Sequence, residues 1–194
     1  MAKEMLDKIL ACPTDYEDFR VRLELVQLKT RQMPKHLASY PAQEILERTG
    51  SGKAAFTVDG KSYQVRMDSD RYKLFRQNRH CAACGLEGTH MVLDLPYGHN
   101  QPHFNLYGLE DGQLVLMTKD HIVPRTKGGR DEMANYQTYC HACNQIKGCD
   151  DLDNNQVRLI REALRQNKSL SRQEMRRMLL ELKEQLKGIS GPEP

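Results

Sequence analysis

The chain has 194 residues, with 29 Lys or Arg against 26 Asp or Glu, so its formal net charge is only +3. A chain of this length can bury a hydrophobic core, and it predicts one domain with additions or two small ones. The small net charge does not by itself indicate a polyanionic partner. No run approaches the roughly 18 apolar residues of a membrane span, and the first ten residues, MAKEMLDKIL, do not have the pattern of a secretory signal. The sequence therefore predicts a cytoplasmic protein.

Residues 1–50 are predicted to be mainly helical, in the segments MLDKILA, YEDFRVRLELVQLKTRQM and PAQEILERTG. In the third segment Pro41 suits a first helical turn and Gly50 suits a helix end. The next stretch, AAFTVDGKSYQVRM, predicts a β-hairpin that turns at Asp59-Gly60. Residues 1–70 are therefore predicted to form an N-terminal region of helices plus a hairpin.

The central part of the chain, residues 71–150, is predicted to form a second region. SDRYKLFRQNRH predicts a short helix that begins at Ser69 or Asp70. HFNLYGLEDGQLVLMTKDHI predicts a hairpin with strands near 103–108 and 113–119, and DLPYGHNQPH before it is typical of a loop.

Residues 151–194 are predicted to form a C-terminal helical region with a disordered tail, SGPEP. Its helices are NNQVRLIREALRQN and SLSRQEMRRMLLELKEQLKG, the second of which opens with Ser171 and Glu174 at capping-box spacing. From Gln156 to Lys187 there are nine Lys or Arg against four Glu, so this region is locally basic. That charge fits either a nucleic-acid contact or a solvated helical face.

Four of the six cysteines form two Cys-x-x-Cys knuckles: Cys81 with Cys84 (the first knuckle) and Cys140 with Cys143 (the second knuckle). Two such knuckles make the closed tetrahedral sulfur shell that Zn²⁺ prefers in structural sites. A redox pair or coincidental core cysteines are the alternatives. The knuckles are 55 residues apart, so the predicted zinc joins elements with folded structure between them.

An acid and a histidine, Asp120 and His121, adjoin one another at the predicted end of a strand. Neighbouring residues on a regular strand point to opposite faces, so both can address one site only where the strand ends and bends. Pro124 and the glycine pair Gly128-Gly129 in DHIVPRTKGG would end the strand and allow this bend.

The second knuckle predicts a third polar group at the same site. Cys140, Cys143, Asn144 and Lys147 have 0, 3, 4, 7 spacing and share one face if this segment opens a helix. A carboxylate oxygen of Asp120 and an amide oxygen of Asn144 would make a hard oxygen site of the kind that suits Mg²⁺ or Mn²⁺.

An imidazole beside that site, with an unperturbed pKa of about 6.5, can take a proton from an attacking water at neutral pH. A base and a metal ion that offsets charge are the parts needed to hydrolyse a phosphodiester. Four basic residues would surround the site with charge that attracts phosphate, although each taken singly is more often an ordinary solvated residue: Arg125, Lys127, Arg130 and Lys147.

The order of CAAC, DHIVPRTKGG, Asn135 in MANYQTYC and CHACNQIKG over residues 81–148 resembles the HNH endonuclease family in its zinc-stabilised form. The resemblance implies an α+β fold whose core is the zinc-bound ββα-metal, or treble-clef, unit, flanked by the N-terminal region and the C-terminal helices. It also implies a DNA endonuclease that leaves a 5′-phosphate and a 3′-hydroxyl.

The resemblance also assigns roles to particular residues. His121 would be the general base, Asp120 and Asn144 the ligands of a catalytic Mg²⁺ or Mn²⁺, and Asn135 would orient the loop or His121 through hydrogen bonds. The four knuckle cysteines would hold structural Zn²⁺. The family often has histidine where this chain has Asn144, a difference that favours a hard ion.

Other histidines have no assigned role. His80 and His141 adjoin the knuckles, but four thiolates already complete a zinc shell. His90, His99 and His103 lie in a stretch that is longer than in compact family members. They belong either to an elaborated hairpin and loop or to a substrate-binding surface.

Two further classes of function remain open. A non-catalytic zinc module that binds nucleic acid or protein would use the same thiol scaffold, but it would not require the acid, histidine and amide residues. A nuclease that acts on RNA, or as a toxin, would share the chemistry. The flanking helices would grip DNA, pair two subunits into a homodimer, or dock onto a larger phage packaging or restriction assembly.

Overall fold

The computed structural model of the protein describes residues 34–50, 52–167 and 169–186. The helices predicted before residue 34 and the predicted disordered tail lie outside these ranges. The described residues divide into two compact units, one of residues 34–50 and 52–144 and the other of residues 145–167 and 169–186. In the described part of the chain, no helix has the length and apolarity that a membrane crossing requires.

The first unit is built on a five-stranded antiparallel sheet and a separate two-stranded hairpin, which confirms the α+β class. The strands are Lys35–Pro41 (β1), Lys53–Val58 (β2), Lys61–Arg66 (β3), Gly88–Leu95 (β4), His103–Glu110 (β5), Gln113–His121 (β6) and Tyr136–Cys140 (β7). The helices of this part are Ala42–Glu47 (α1), Asp70–Gln77 (α2) and the start of His141–Lys147 (α3), whose last three residues belong to the second unit. The large sheet has the strand order β1-β4-β5-β6-β7.

Both predicted hairpins form, and each turns at an Asp-Gly pair. Asp59 and Gly60 have φ of 49° and 75°, and Asp111 and Gly112 have φ of 48° and 76°. Two consecutive residues with positive φ give the turn whose twist matches the flanking strands. The two hairpins therefore follow directly from local turn chemistry.

The helical prediction was wrong for residues 35–41, which form the edge strand β1. This strand pairs with β4 from Lys35↔Leu95 to Pro41↔His90. The His36 Nδ1 atom lies 2.5 Å from a carboxylate oxygen of Asp94, which is fully buried. Partners far along the chain thus select the strand, whereas the helical segment predicted at residues 41–50 forms the shorter helix α1.

The core of the first unit centres on Phe104, whose side chain is fully buried. Its ring lies 4.8 Å from that of Phe56 and 5.8 Å from that of Tyr40, both edge-on. The two-stranded hairpin and the edge of the large sheet thereby share one aromatic cluster. Edge-to-face rings contribute about 0.5–1.5 kcal/mol beyond the area that they bury.

Helix α2 leads the chain into the first knuckle. Its N-cap is Ser69, whose hydroxyl accepts from the backbone of Tyr72 at 3.4 Å, as one of the two predicted alternatives has it. The Tyr72 hydroxyl in turn donates to the carbonyl of Phe104 at 3.1 Å. This bond ties the start of the helix to the centre of the sheet.

The second unit contains the helices Asn154–Gln166 (α4) and Arg172–Leu186 (α5). Both begin with a capping box: Asp153 with Gln156 at the first, and the predicted pair Ser171 with Glu174 at the second. The amide of Gln156 also donates to the carbonyl of Leu186 at 2.9 Å.

Replacing Phe104 with alanine should lower the free energy of unfolding by about 3–5 kcal/mol, because it leaves a cavity beside the rings of Phe56 and Tyr40. Leu109→Ala on the same strand is the matched control, since Leu109 is 53% exposed and should change stability by less than about 1 kcal/mol. Urea denaturation followed by circular dichroism measures both. Equal losses in the two variants would contradict this description of the core.

Candidate active site and thiol cluster

The four knuckle cysteines converge in the structure. Their sulfur atoms all lie within 4.8 Å of one another, and those of Cys84 and Cys140 are 3.8 Å apart. A tetrahedral shell with Zn–S bonds of about 2.3 Å has sulfur–sulfur edges of about 3.8 Å, whereas a disulfide requires about 2.05 Å. The cluster could therefore hold a metal such as zinc.

Backbone hydrogen bonds set the geometry of this thiol cluster. Gly85 donates to the carbonyl of Cys81 at 2.8 Å and closes the first knuckle, and Ala82 donates to Thr138 of β7 at 2.8 Å. The second knuckle forms where β7 passes directly into α3, with Cys140 as the last strand residue. Neither His80 nor His141 belongs to the cluster, in agreement with a complete four-sulfur shell.

The thiols are also electrostatically coupled. The pKa of the Cys143 thiol is raised because it shares hydrogen bonds with Cys140 and Cys81 and because it is buried. The pKa of the Cys81 thiol is lowered by hydrogen bonds with Cys140, Cys143 and Cys84. Four sulfurs this close cannot all ionise without a cation, and a divalent metal would favour the thiolate form at each.

Asp120 lies on one face of β6, and the same face contacts the side chain of Asn144. The side-chain amide of Asn144 donates to the Thr118 hydroxyl at 2.9 Å, and that hydroxyl donates to the carbonyl of Tyr139 at 3.0 Å. Thr118 and Asp120 are two residues apart in a paired strand and so share a face. Because the amide nitrogen is directed at Thr118, the amide oxygen is the atom of Asn144 that could bind a cation.

Asp120 is 8% exposed, and its carboxylate accepts from the Gln137 side chain at 3.0 Å. Gln137 is its direct cross-strand partner in the β6–β7 ladder. The cross-strand amide thus holds the carboxylate in place. A carboxylate and an amide oxygen on one strand face are the hard oxygen donors that Mg²⁺ and Mn²⁺ prefer.

His121 lies on the opposite face of β6. The strand runs two residues further than the expected end at residue 119, so both Asp120 and His121 are paired with β7. The His121 ring lies edge-on to Tyr136 at 5.0 Å, and its Nε2 atom lies 2.7 Å from a carboxylate oxygen of Asp131. Since β6 ends at His121, the side chains of Asp120 and His121 both lie at the end of this strand.

Asn135 fastens the loop that follows His121. Its side-chain oxygen accepts from Val123 at 2.8 Å, and its side-chain nitrogen donates to the carbonyls of Val123 and Arg130 at 3.1 and 3.0 Å. A Cβ added at Gly129 would lie 1.8 Å from the Val123 carbonyl oxygen, and Gly128 has φ of 85°. The loop therefore requires glycine at both positions.

The four basic residues predicted around the site differ in their surroundings. Arg125 lies in a short 3-10 turn and pairs with Asp131, whereas Lys127 and Arg130 are exposed. Lys147 has only 1% of its surface exposed. The histidines of the longer central stretch also divide, because His90 and His103 lie in paired strands and His99 lies in an exposed loop.

Three residues of the site were not found by sequence reasoning: Thr118, Gln137 and Asp131. Thr118 could have been found from its position two residues before Asp120 on the same strand face. Gln137 and Asp131 depend on the register of β7 and on the path of the loop, which the sequence pattern does not fix.

The fold and the site define a mixed α+β protein. In it, a strand–strand–helix segment carries an acid, a histidine and an amide beside a cluster of thiols. Residues 111–158 match the family model described as HNH endonuclease, so this segment is similar to that family. The match covers about a quarter of the chain and includes the second knuckle but not the first. Comparisons with curated proteins and with solved structures give no match.

Replacing Cys140 with serine should remove most of the tightly bound metal, of which about one zinc per chain is expected in the unchanged protein. The thermal unfolding midpoint should also fall, because binding of structural zinc contributes directly to folding. Elemental analysis and circular dichroism measure the two effects. Cys149→Ser is the matched control because Cys149 is exposed and lies outside the cluster. An unchanged zinc content in Cys140→Ser would contradict the assignment.

Proposed function

We propose that this protein is a metal-dependent endonuclease that hydrolyses DNA phosphodiester bonds and leaves 5′-phosphate and 3′-hydroxyl ends. The observation that carries the proposal is the match of residues 111–158 to the HNH endonuclease family. The matched segment contains Asp120, His121, Asn135 and Asn144.

The two-sided arrangement of β6 supports this chemistry. In phosphoryl displacement the attacking and departing oxygens lie roughly in line on opposite sides of phosphorus. A phosphate at the strand end, between the two faces, would have His121 on one side and the Asp120–Asn144 pair on the other. His121 would take the proton of the attacking water, while the opposite face would stabilise the departing oxygen.

Asp120 and Asn144 would hold the catalytic Mg²⁺ or Mn²⁺. Their donor atoms fit such an ion, because a sparse set of hard oxygens leaves coordination positions for water and for substrate phosphate. When bound, the ion would neutralise charge that develops on the phosphate and on the departing oxygen. Gln137 and Thr118 would keep the two ligand side chains oriented before substrate arrives.

The knuckle cysteines would hold a structural zinc, giving the zinc-bound ββα-metal, or treble-clef, form of the family. Here β6, β7 and α3 would be the ββα segment. The zinc would take no part in the reaction, because four thiolates fill a tetrahedral shell and leave no position open to substrate. Its contribution would be to fix the start of α3 and therefore Asn144.

Substrate DNA would be held mainly through its backbone. Lys127 and Arg130 are exposed on the loop that follows His121 and would bind phosphates flanking the cleaved bond. The chain has no Trp and few aromatic residues, which disfavours a base-stacking platform for single strands. We expect modest sequence preference and affinity that falls as salt rises.

A binding module without catalysis is the second candidate function. The thiol cluster favours it equally, because a zinc-braced scaffold serves binding as well as hydrolysis. A binding function alone, however, gives no reason for the hydrogen bonds that orient Asp120, His121 and Asn144. A cleavage assay separates the two functions.

His121→Ala should lower kcat for plasmid cleavage by about 10²- to 10⁴-fold, because the water loses its proton acceptor. Supercoiled plasmid is incubated with Mg²⁺ or Mn²⁺, and nicked and linear products are quantified on gels, with a chelator arm. His80→Ala is the control, since His80 is exposed and lies outside the site. Equal cleavage by His121→Ala would remove this histidine from the mechanism. Absence of cleavage by the unchanged protein with either ion would favour the binding module.

Asp120→Ala should also lower kcat, by about 10²-fold or more, and should raise the Mn²⁺ concentration needed for half-maximal rate. Titrating Mn²⁺ in the plasmid assay measures both quantities. Glu132→Gln, which alters an exposed acid in the loop, should keep the metal dependence of the unchanged protein. An unaltered metal dependence in Asp120→Ala would show that the ion binds elsewhere.

A further inference from the structure

The carboxylate of Asp131 makes a direct hydrogen bond with the imidazole of His121. The Nε2 atom of His121 lies 2.7 Å from Asp131 Oδ1. The pKa of Asp131 is lowered to about 2, first by its hydrogen bond with Arg125 and then by that with His121. The carboxylate is therefore ionised at neutral pH and can only accept. Nε2 must carry the proton, which leaves the basic lone pair of the neutral ring on Nδ1.

Asp131 is itself held by groups from two elements. Arg125 donates to it through Nε, at 2.9 Å, and through Nη2, so that its guanidinium and the carboxylate form a two-pronged pair. The hydroxyl of Tyr136 donates to the same carboxylate at 3.3 Å. The short turn that contains Arg125 and the start of β7 thus fix the carboxylate from different directions.

These contacts restrict His121 in two ways. The Tyr136 ring lies edge-on to the imidazole at 5.0 Å and limits rotation of the histidine side chain, while the carboxylate fixes one ring nitrogen. An imidazole held at one nitrogen presents the other in a defined direction. The ring is therefore oriented before any substrate binds.

We propose that Asp131 is the positioning residue of the nuclease site: it selects the Nδ1 atom of His121 as the base that accepts the proton of the attacking water. This inference rests on the proposed function. Asp131 touches neither water nor phosphate in this role. When His121 takes the proton, the ring becomes cationic, and the adjacent carboxylate stabilises that charge.

The first arm of the test is kinetic. Asp131→Asn should lower kcat about 10- to 100-fold with KM for plasmid within about 2-fold, because the role is confined to the step in which the proton moves. Asp68→Asn is the matched control, since Asp68 forms an exposed ion pair with Arg66 that also uses the arginine Nε. A kcat of Asp131→Asn equal to that of the unchanged protein would overturn the inference.

The second arm does not require activity. Long-range ¹H–¹⁵N correlation spectra of the zinc-loaded chain at about pH 8.5, above the ordinary imidazole pKa of about 6.5, report which ring nitrogen carries the proton. The His121 signals are assigned by their loss in His121→Ala. We expect the proton on Nε2 in the unchanged protein and in Asp68→Asn, and a shift of the population toward Nδ1–H in Asp131→Asn.

The two arms separate the failure of each proposal. If the unchanged protein does not cleave DNA but Asp131→Asn still shifts the His121 tautomer, the positioning contact stands and the nuclease assignment falls. If the unchanged protein cleaves DNA and Asp131→Asn alters neither kcat nor tautomer, the inference falls and the nuclease assignment stands. An Nδ1–H tautomer in the unchanged protein would also overturn the inference.

Discussion

The convergence of four sulfur atoms from two distant segments is the constraint on which the candidate site depends. The second knuckle sits where β7 passes into α3, and the first is hydrogen-bonded to β7. A structural zinc in such a cluster binds with an apparent free energy of about 10–16 kcal/mol, comparable to the whole net stability of a typical domain. Zinc bound in this cluster would therefore fix the position of Asn144, four residues after Cys140, as firmly as the fold itself.

The pairing of β6 with β7 places the adjacent residues Asp120 and His121 in two different environments. Because side chains alternate along a strand, Asp120 shares a face with Thr118 and Gln137, while His121 shares the other with Tyr136 and Lys119. The amide and hydroxyl groups on the first face orient the side chains of Asp120 and Asn144. The second face carries aromatic and cationic groups, with the Lys119 ammonium 3.5 Å from the centre of the Tyr136 ring. In the proposed reaction, two adjacent residues would thus act on opposite sides of one phosphate.

Local signals in the sequence predicted much of this fold. Asp-Gly turns fix both hairpins, Ser69 and Ser171 cap their helices, and the knuckle spacing predicts the thiol cluster. Strands that depend on distant partners were not predicted. β1 begins in a segment taken as helical, and its His36 is held by Asp94, fifty-eight residues further along the chain. β4 is a mostly buried interior strand in which buried and exposed side chains do not alternate. Its sequence therefore has no period-two pattern to detect.

The same distinction applies within the site. Asp120, His121 and Asn144 were chosen as candidates because metal and proton chemistry limits which residue types can do such work, whatever the fold. The groups that orient them could not be predicted, because an amide or a carboxylate becomes a partner only when the register of β7 and the path of the loop are set. Gln137 faces Asp120 only in the observed pairing.

Loop structure and histidine orientation depend on different residues around Asp131. Asn135 holds the loop through three backbone contacts, none of which involves the Asp131 side chain. The carboxylate of Asp131 instead accepts hydrogen bonds from His121, Arg125 and Tyr136. An exposed ion pair alone contributes little to stability. The side chains around Asp131 must therefore be held in place by several donors that share one acceptor.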